Sequence, residues 1–274
     1  MRVAIGNNKG GTGKSSATVN LAAALAEAGH RVLVIDMDPQ ANATRRLGLR
    51  HDPRRPVTTT SEVVASGVDG IAAAAITASR WPDPYADLVS VIPARFDLEN
   101  RVSEAAVLGA HTRLARALQG ADDDVAVTLI DLPPSLGHLT QLGLAAADLA
   151  LCTVEPEYDA VEGALRFRDF IAQHGPQLYT GHRHEEDART GLRLAGYLIT
   201  RVRANIGAHA FQLDGLSETF GAELVWTPHL PERAAIKDAA DTAVPLRVLG
   251  GTTAREMADL YTALAARLIK ELAA

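Results

Sequence analysis

The sequence predicts an α/β fold: a single domain with a predominantly parallel, twisted sheet flanked by helices on both faces. Three observations predict it. The apolar run "RVAIG" (2–6) passes through a glycine-rich turn into a helical pattern and then into a second apolar run, "RVLVID" (31–36). Apolar runs and helical patterns keep alternating afterwards, and strand, helix, strand is a βαβ unit whose strands run parallel. The 274 residues contain no repeat and no low-complexity linker, and their length suits one large α/β domain, 1–274.

The elements follow in order. In "SSATVNLAAALAEAG" (15–29), Val19, Leu21, Ala22, Leu25 and Ala26 recur at helical spacing, and Gly29 suits a C-cap. Further strands are expected at 88–93, 125–131, 149–154 and 192–200, with a short one near 223–227. Helical patterns lie at 98–119, 135–146, 159–173, 205–220 and 232–241. A last helix (253–274) carries Met257, Leu260, Tyr261, Leu264 and Leu268 on one face, a stripe for packing on the sheet. Two stretches interrupt the pattern: a polar loop at about 50–62, rich in Pro and Arg, and a polar insertion at about 174–191. His182 and His184 in that insertion lie two apart without a second ligand pair, so the stretch reads as a solvated loop.

Composition narrows the function classes. Hydrophobic residues make up 47% and charged ones 22%, a globular balance, and with aromatics at 4% the core must be mostly Ala, Leu and Val. The lone cysteine, Cys152, sits in an apolar run, makes no internal disulfide and cannot supply a zinc or iron–sulfur site. The net charge of −6 does not advertise a nucleic-acid binder, so any DNA contact needs a local basic patch. No apolar run is long enough to cross a membrane, and "MRVAIGNNKGG" lacks the regions of a signal peptide; the expected location is cytoplasmic.

The chemistry sits in "NNKGGTGKSS" (7–16). A glycine-rich turn between strand and helix lets backbone N–H groups face a phosphate, and the helix N-terminus adds a favourable dipole. The usual phosphate-loop pattern has glycine where this chain has Asn8, so the standard form fails. What stands instead is Lys9-Gly10-Gly11-Thr12-Gly13-Lys14-Ser15, then Ser16. Lys14 is expected to reach the β- and γ-phosphates, and Ser15 to place its hydroxyl on Mg²⁺. A triphosphate site also needs carboxylates at strand ends. "RVLVIDMDPQ" supplies Asp36 and Asp38, and "VAVTLIDLPP" supplies Asp131.

These three segments resemble the ParA/MinD family of ATPases, phosphate-loop proteins with a deviant Walker A motif. The ParA branch is matched by K-G-G-x-G-K-S at 9–15, D-x-D-P-Q at 36–40 and D-x-P-P at 131–134. "EPEYDAVEG" (155–163) looks like the family's helix start after the nucleotide strand, while "LPERAAIKDAADTAVPL" (230–246) follows the family only loosely.

The resemblance implies a slow, Mg²⁺-dependent ATPase that dimerises with ATP bound. Lys9 would reach across the two-fold interface to the partner's phosphates. The nucleotide set would be residues 9 to 16, the metal set Ser15, Asp36 and Asp131, and Asp38 would position the attacking water. Segments 200–205 and 228–233 are candidates for the adenine. The ATP dimer would bind double-stranded DNA without sequence preference, associate with the nucleoid, and be released when a ParB-type partner stimulates hydrolysis. Basic residues available for DNA include Arg201, Arg203, Arg233, Lys237, Arg247, Arg267 and Lys270, with Arg201, Arg203 and Lys237 foremost. No helix-turn-helix segment precedes the loop strand, so operator-specific binding is not expected. Two alternatives stay open: a MinD-like or other positioning ATPase acting on a membrane or protein cargo, and an ATP-dependent biosynthetic ligase of the same fold. The first needs a basic amphipathic tail, and the last helix, ending "KELAA", reads as core packing.

Overall fold

A computed structural model of the chain describes residues 1–178, 191–203 and 207–273. The first half runs β1 (Arg2–Gly6), α1 (Lys14–Glu27), β2 (Val32–Asp36), α2 (Asn42–Arg46), α3 (Thr60–Ser66), β3 (Thr77–Ala78), α4 (Tyr85–Leu88), β4 (Val89–Ile92), α5 (Arg113–Ala117) and β5 (Val127–Asp131). The second runs α6 (His138–Ala145), β6 (Leu149–Val154), α7 (Tyr158–Leu178), β7 (Arg193–Ile199), α8 (Gly207–Phe220), β8 (Val225–Trp226), α9 (Ala234–Thr242), α10 (Leu246–Leu249) and α11 (Thr252–Ala273).

The strands form one sheet in the order β3-β4-β2-β5-β1-β6-β7-β8. Every pair is parallel except the short edge strand β3, which runs antiparallel to β4. The central strands are continuous apolar runs because both their faces are covered. Alternate residues feed two cores. Val3, Ile5, Val32, Val34, Val127 and Leu129 pack with α1 and α11, and Ala4, Leu33, Ile35 and Ile130 pack with α6 and α7 on the other face. The stripe expected on the last helix is there: Met257, Tyr261, Leu264 and Leu268 are buried in the first of these cores.

Four expectations need correction. The single helix over 98–119 is instead a 3₁₀ stretch, Phe96–Ala106, a second short one, Ala110–Thr112, and then α5. Val107 turns extended and Gly109 takes a left-handed φ of 74°, which breaks any continuous helix there. The polar loop gives way at Thr60, because Thr59 and Glu62 form a capping box that starts α3. The helix expected to stop at 173 runs on to Leu178 with Pro176 inside it. The strand near 223–227 shrinks to two residues. The remainder of the expected insertion, with His182 and His184, lies outside the described residues.

Candidate functional site

The site forms at the carboxyl ends of β1, β2 and β5, where the sheet order places the phosphate loop between two neighbouring strand ends. In the β2–β5 register Asp36 stands directly beside Asp131, so two motifs 95 residues apart become neighbours. The loop joins β1 to α1 and needs glycine twice: Gly11 and Gly13 have φ of 84° and 82°, where a side chain is strained. The rest of the loop is tied down by threonines. Thr12 is buried, its hydroxyl 3.0 Å from that of Thr153, and Thr200 donates to the Thr12 carbonyl at 2.8 Å. Asn7 donates to the Thr153 carbonyl at 2.7 Å.

Lys14 is buried at the base of the loop, and its ammonium donates to the Lys9 carbonyl at 3.1 Å. Burial lowers its proton affinity, against the pull of Asp131 and Asp38. Asp36 and Asp131 are fully buried. Asp36 accepts from the Thr44 amide (2.8 Å), the Thr44 hydroxyl (2.7 Å) and the Asp38 amide (3.1 Å). Asp131 accepts from the Thr18 hydroxyl at 3.0 Å, and the Ser15 hydroxyl nearby favours its charged form. Burial raises the pKa of both carboxyls, and for Asp36 the charge of Asp131 raises it further. Asp38 is buried beside them, accepting from the Gln40 amide at 2.9 Å. Lys9 points outward and pairs with Asp159 at the start of α7, 3.0 Å away, both side chains well exposed.

A cavity of about 550 Å³ opens over these groups. Its floor is the loop with Lys14, Ser15, Ser16 and Asp38, and its far wall comes from α9 and α11 through Ile236, Met257 and Tyr261. Arg201 lines it as well, with a left-handed φ of 53° that is rare for a residue with a side chain. That backbone sends the guanidinium to the Gly11 carbonyl (3.0 Å), Glu155 (3.1 Å) and Glu232 (2.8 Å). Arg203 joins the same carboxylates, bonding Glu232 and lying 3.8 Å from Glu155. Lys237 is exposed at the rim of the cavity. Arg247 is committed to Glu27 and Asp259, and Arg267 lies over the Trp226 ring. Cys152 is buried, which pushes its thiol up and keeps it inert.

Comparison with known proteins bears on this geometry. A family model described as an AAA domain matches residues 1–178. The chromosome-partitioning ATPase Soj of Thermus thermophilus is 32% identical over 259 residues, which cover 87% of this chain and 84% of that protein. The chain belongs to the ParA/Soj family of ATPases. The sporulation initiation inhibitor Soj of Bacillus subtilis is likewise 32% identical, over 89% of each chain. Among solved structures, cobyrinic acid a,c-diamide synthase from Mycobacterium smegmatis, with a bound ATP analogue and magnesium, superposes with a TM-score of 0.76 at 27% identity. It covers 100% of this chain and 96% of its own.

Of the residues named from the sequence, the fold brings Lys14, Asp36, Asp38 and Asp131, all buried, together with the half-buried Ser15 and Ser16 into one cluster around the loop. It leaves Lys9 at the surface and ties Arg201 and Arg203 into an acidic network. Sequence reasoning missed the hydroxyls that hold the carboxylates, Thr18 and Thr44, and the helix α2 that carries Thr44. Thr18 follows Lys14 by one helical turn, so its place beside Ser15 is legible from spacing; that it meets Asp131 is not.

Proposed function

We propose that this member of the family is a slow ATP-driven dimerising switch for DNA partition. The observation that carries the reading is Lys9: a second loop lysine that points away from its own phosphate site, while Lys14 alone serves that site. An outward lysine on a phosphate loop suits a triphosphate held by a second copy.

The protein is an ATPase, and its cofactors are ATP and Mg²⁺. The residues present fit both. The glycine loop supplies amides and Lys14 a cation for the β- and γ-phosphates. For magnesium, the two buried carboxylates stand side by side, and Asp131 Oδ2 has no hydrogen-bond partner. That is the oxygen-rich, charge-unbalanced setting a hard divalent cation relieves. Ser15, Asp36 and Asp131 would hold it. Bound magnesium supplies charge neutralisation at the phosphate oxygens. Asp38, at the cavity floor, orients water and accepts its proton. With one such carboxylate and, among the described residues, no reactive nucleophile lining the cavity, intrinsic turnover is slow.

The nucleotide-bound dimer binds double-stranded DNA through phosphate contacts, and a ParB-type partner releases it by stimulating hydrolysis. Of the three foremost cations, Lys237 is the one that is exposed. Arg201 and Arg203 reach phosphates only by giving up Glu155 and Glu232. A second reading, an ATP-dependent ligase, takes its support from the likeness to the diamide synthase. It predicts turnover that requires a small carboxylate or amine.

The test uses Asp38→Ala protein held with ATP and Mg²⁺, in a gel shift on random-sequence duplex DNA at low and moderate salt, with ADP as control. A shift with ATP only, fading with salt, is expected. A dimer that shifts no DNA would remove DNA as the track and keep the switch.

A further inference from the structure

The cavity contains a cation that no motif accounts for. Arg46 is the last residue of α2, and it is held from both ends. The Trp81 indole donates to its carbonyl at 2.8 Å, and its guanidinium reaches into the cavity and donates to the Ser16 hydroxyl. Arg2 meets Asp122, Arg201 and Arg203 meet Glu232, and Arg247 meets Glu27, whereas the exposed Arg45 bonds the Gln40 carbonyl and Asn42. Among the described residues Arg46 has no carboxylate within 4.0 Å, and the Ser16 hydroxyl is the single group its five N–H donors reach. A half-buried guanidinium with one neutral acceptor is poorly satisfied, and the position of this one identifies the missing partner as an anion.

We propose that Arg46 is a nucleotide-binding residue that grips the phosphate next to the nucleoside, the α-phosphate. The inference rests on the nucleotide reading of this cavity. Its location argues for that phosphate. Lys14 and Ser15 face the carboxylate cluster, where the metal and the outer phosphates belong. Ser16 is one residue further into α1, and Arg46 stands beside it, on the way from the loop to the wall formed by Ile236, Met257 and Tyr261. An arginine fork matches phosphate oxygens in pairs, which a lysine cannot do. Because ATP and ADP share the α-phosphate, the contact strengthens both alike. It holds ADP after hydrolysis, and so slows the exchange that resets the switch.

The experiment is calorimetric titration of the full chain with Mg²⁺ and either ADP or a slowly hydrolysed ATP analogue. It compares wild type, Arg46→Ala, Arg46→Lys and Lys14→Ala. Arg46→Ala should lose on the order of 10- to 100-fold in affinity for both nucleotides by the same factor, the range for a charge-assisted hydrogen bond. Arg46→Lys should recover part of it. The thermal midpoint without nucleotide should change little, because the guanidinium has one hydrogen bond to lose and its attraction to Asp131 and Asp241 acts at a distance. Unchanged affinity in Arg46→Ala, while Lys14→Ala has lost binding, overturns the inference and leaves the nucleotide reading intact. Loss for the ATP analogue alone also overturns it, since that places Arg46 at the outer phosphate. Tight binding by Lys14→Ala would sink the nucleotide reading and the inference with it. If Arg46→Ala does not fold, Arg46→Lys and Arg46→Gln carry the same comparison.

Discussion

The two ends of the central strands bury charge in opposite ways. At the amino end, Arg2 opens β1 beside Thr128 on β5. Its guanidinium forms a bidentate pair with Asp122 at 2.8 Å on both arms, the Leu118 carbonyl takes a further N–H, and Thr128 donates to Asp122 at 2.7 Å. At the carboxyl end of the same sheet, Asp36 and Asp131 lie side by side with one buried lysine nearby and an oxygen left without a partner. One end is matched in charge and closed to solvent, with Arg2 Nη1 left without a hydrogen-bond partner. The other is mismatched and opens into a cavity. A protein tolerates such an imbalance where a ligand completes it, so the contrast separates a structural ion pair from a binding site without reference to any motif.

The largest way to break this comparison is at the matched end. Asp122→Ala leaves Arg2 buried and unpaired and should destabilise the fold by about 3–5 kcal/mol, read from denaturant unfolding, with nucleotide affinity unchanged in whatever remains folded. A loss under 1 kcal/mol, by the same kind of estimate, would mean that the amino end is not closed as described.

At the mismatched end the sign should reverse. Asp131→Asn removes one of two adjacent carboxylates and puts an amide where an oxygen has no partner. Without ligands it should be as stable as wild type or up to about 1 kcal/mol more so, while Mg²⁺-dependent nucleotide binding falls. The pH dependence follows from the raised pKa. Asp131 binds its proton more tightly folded than unfolded, so it opposes folding in full above its folded pKa of about 6, and that penalty fades as pH falls from there to the ordinary carboxylate value of 3.8. The advantage of the variant should therefore be greatest at neutral and higher pH and shrink on acidification. A variant less stable than wild type throughout would sink the account of the cluster.

The smallest effect on stability sharpens the comparison from outside. Lys9→Ala removes an exposed pair with Asp159, worth at most about 1 kcal/mol, so unfolding should barely change. It should still bind nucleotide yet fail to dimerise with ATP when followed by light scattering. Normal dimerisation would show that the outward lysine has another use.

Much of the fold was legible because parallel strands buried on both faces leave an apolar signature, and each of the longer expected strands is present. The 98–119 region misled because its periodicity is helical on paper, while Gly109 and the extended Val107 break the chain locally. The helices α2, α3, α4 and α10 are seven residues or fewer, too short for periodicity to declare, and only packing and caps stabilise them.

By itself the sequence determined the loop, its two lysines, its glycines and the aspartates at strand ends. Each of these is a requirement of local geometry: a turn that only glycine enters, a strand that stops at a charge. Only the tertiary structure decided which of them meet. Strand order set Asp36 against Asp131, the left-handed turn at Arg201 committed that cation to Gly11, Glu155 and Glu232, and the packing of α2 brought Arg46 to Ser16 across 30 positions. Pairings between distant segments depend on the register and docking of whole elements, and no local pattern of residues encodes them.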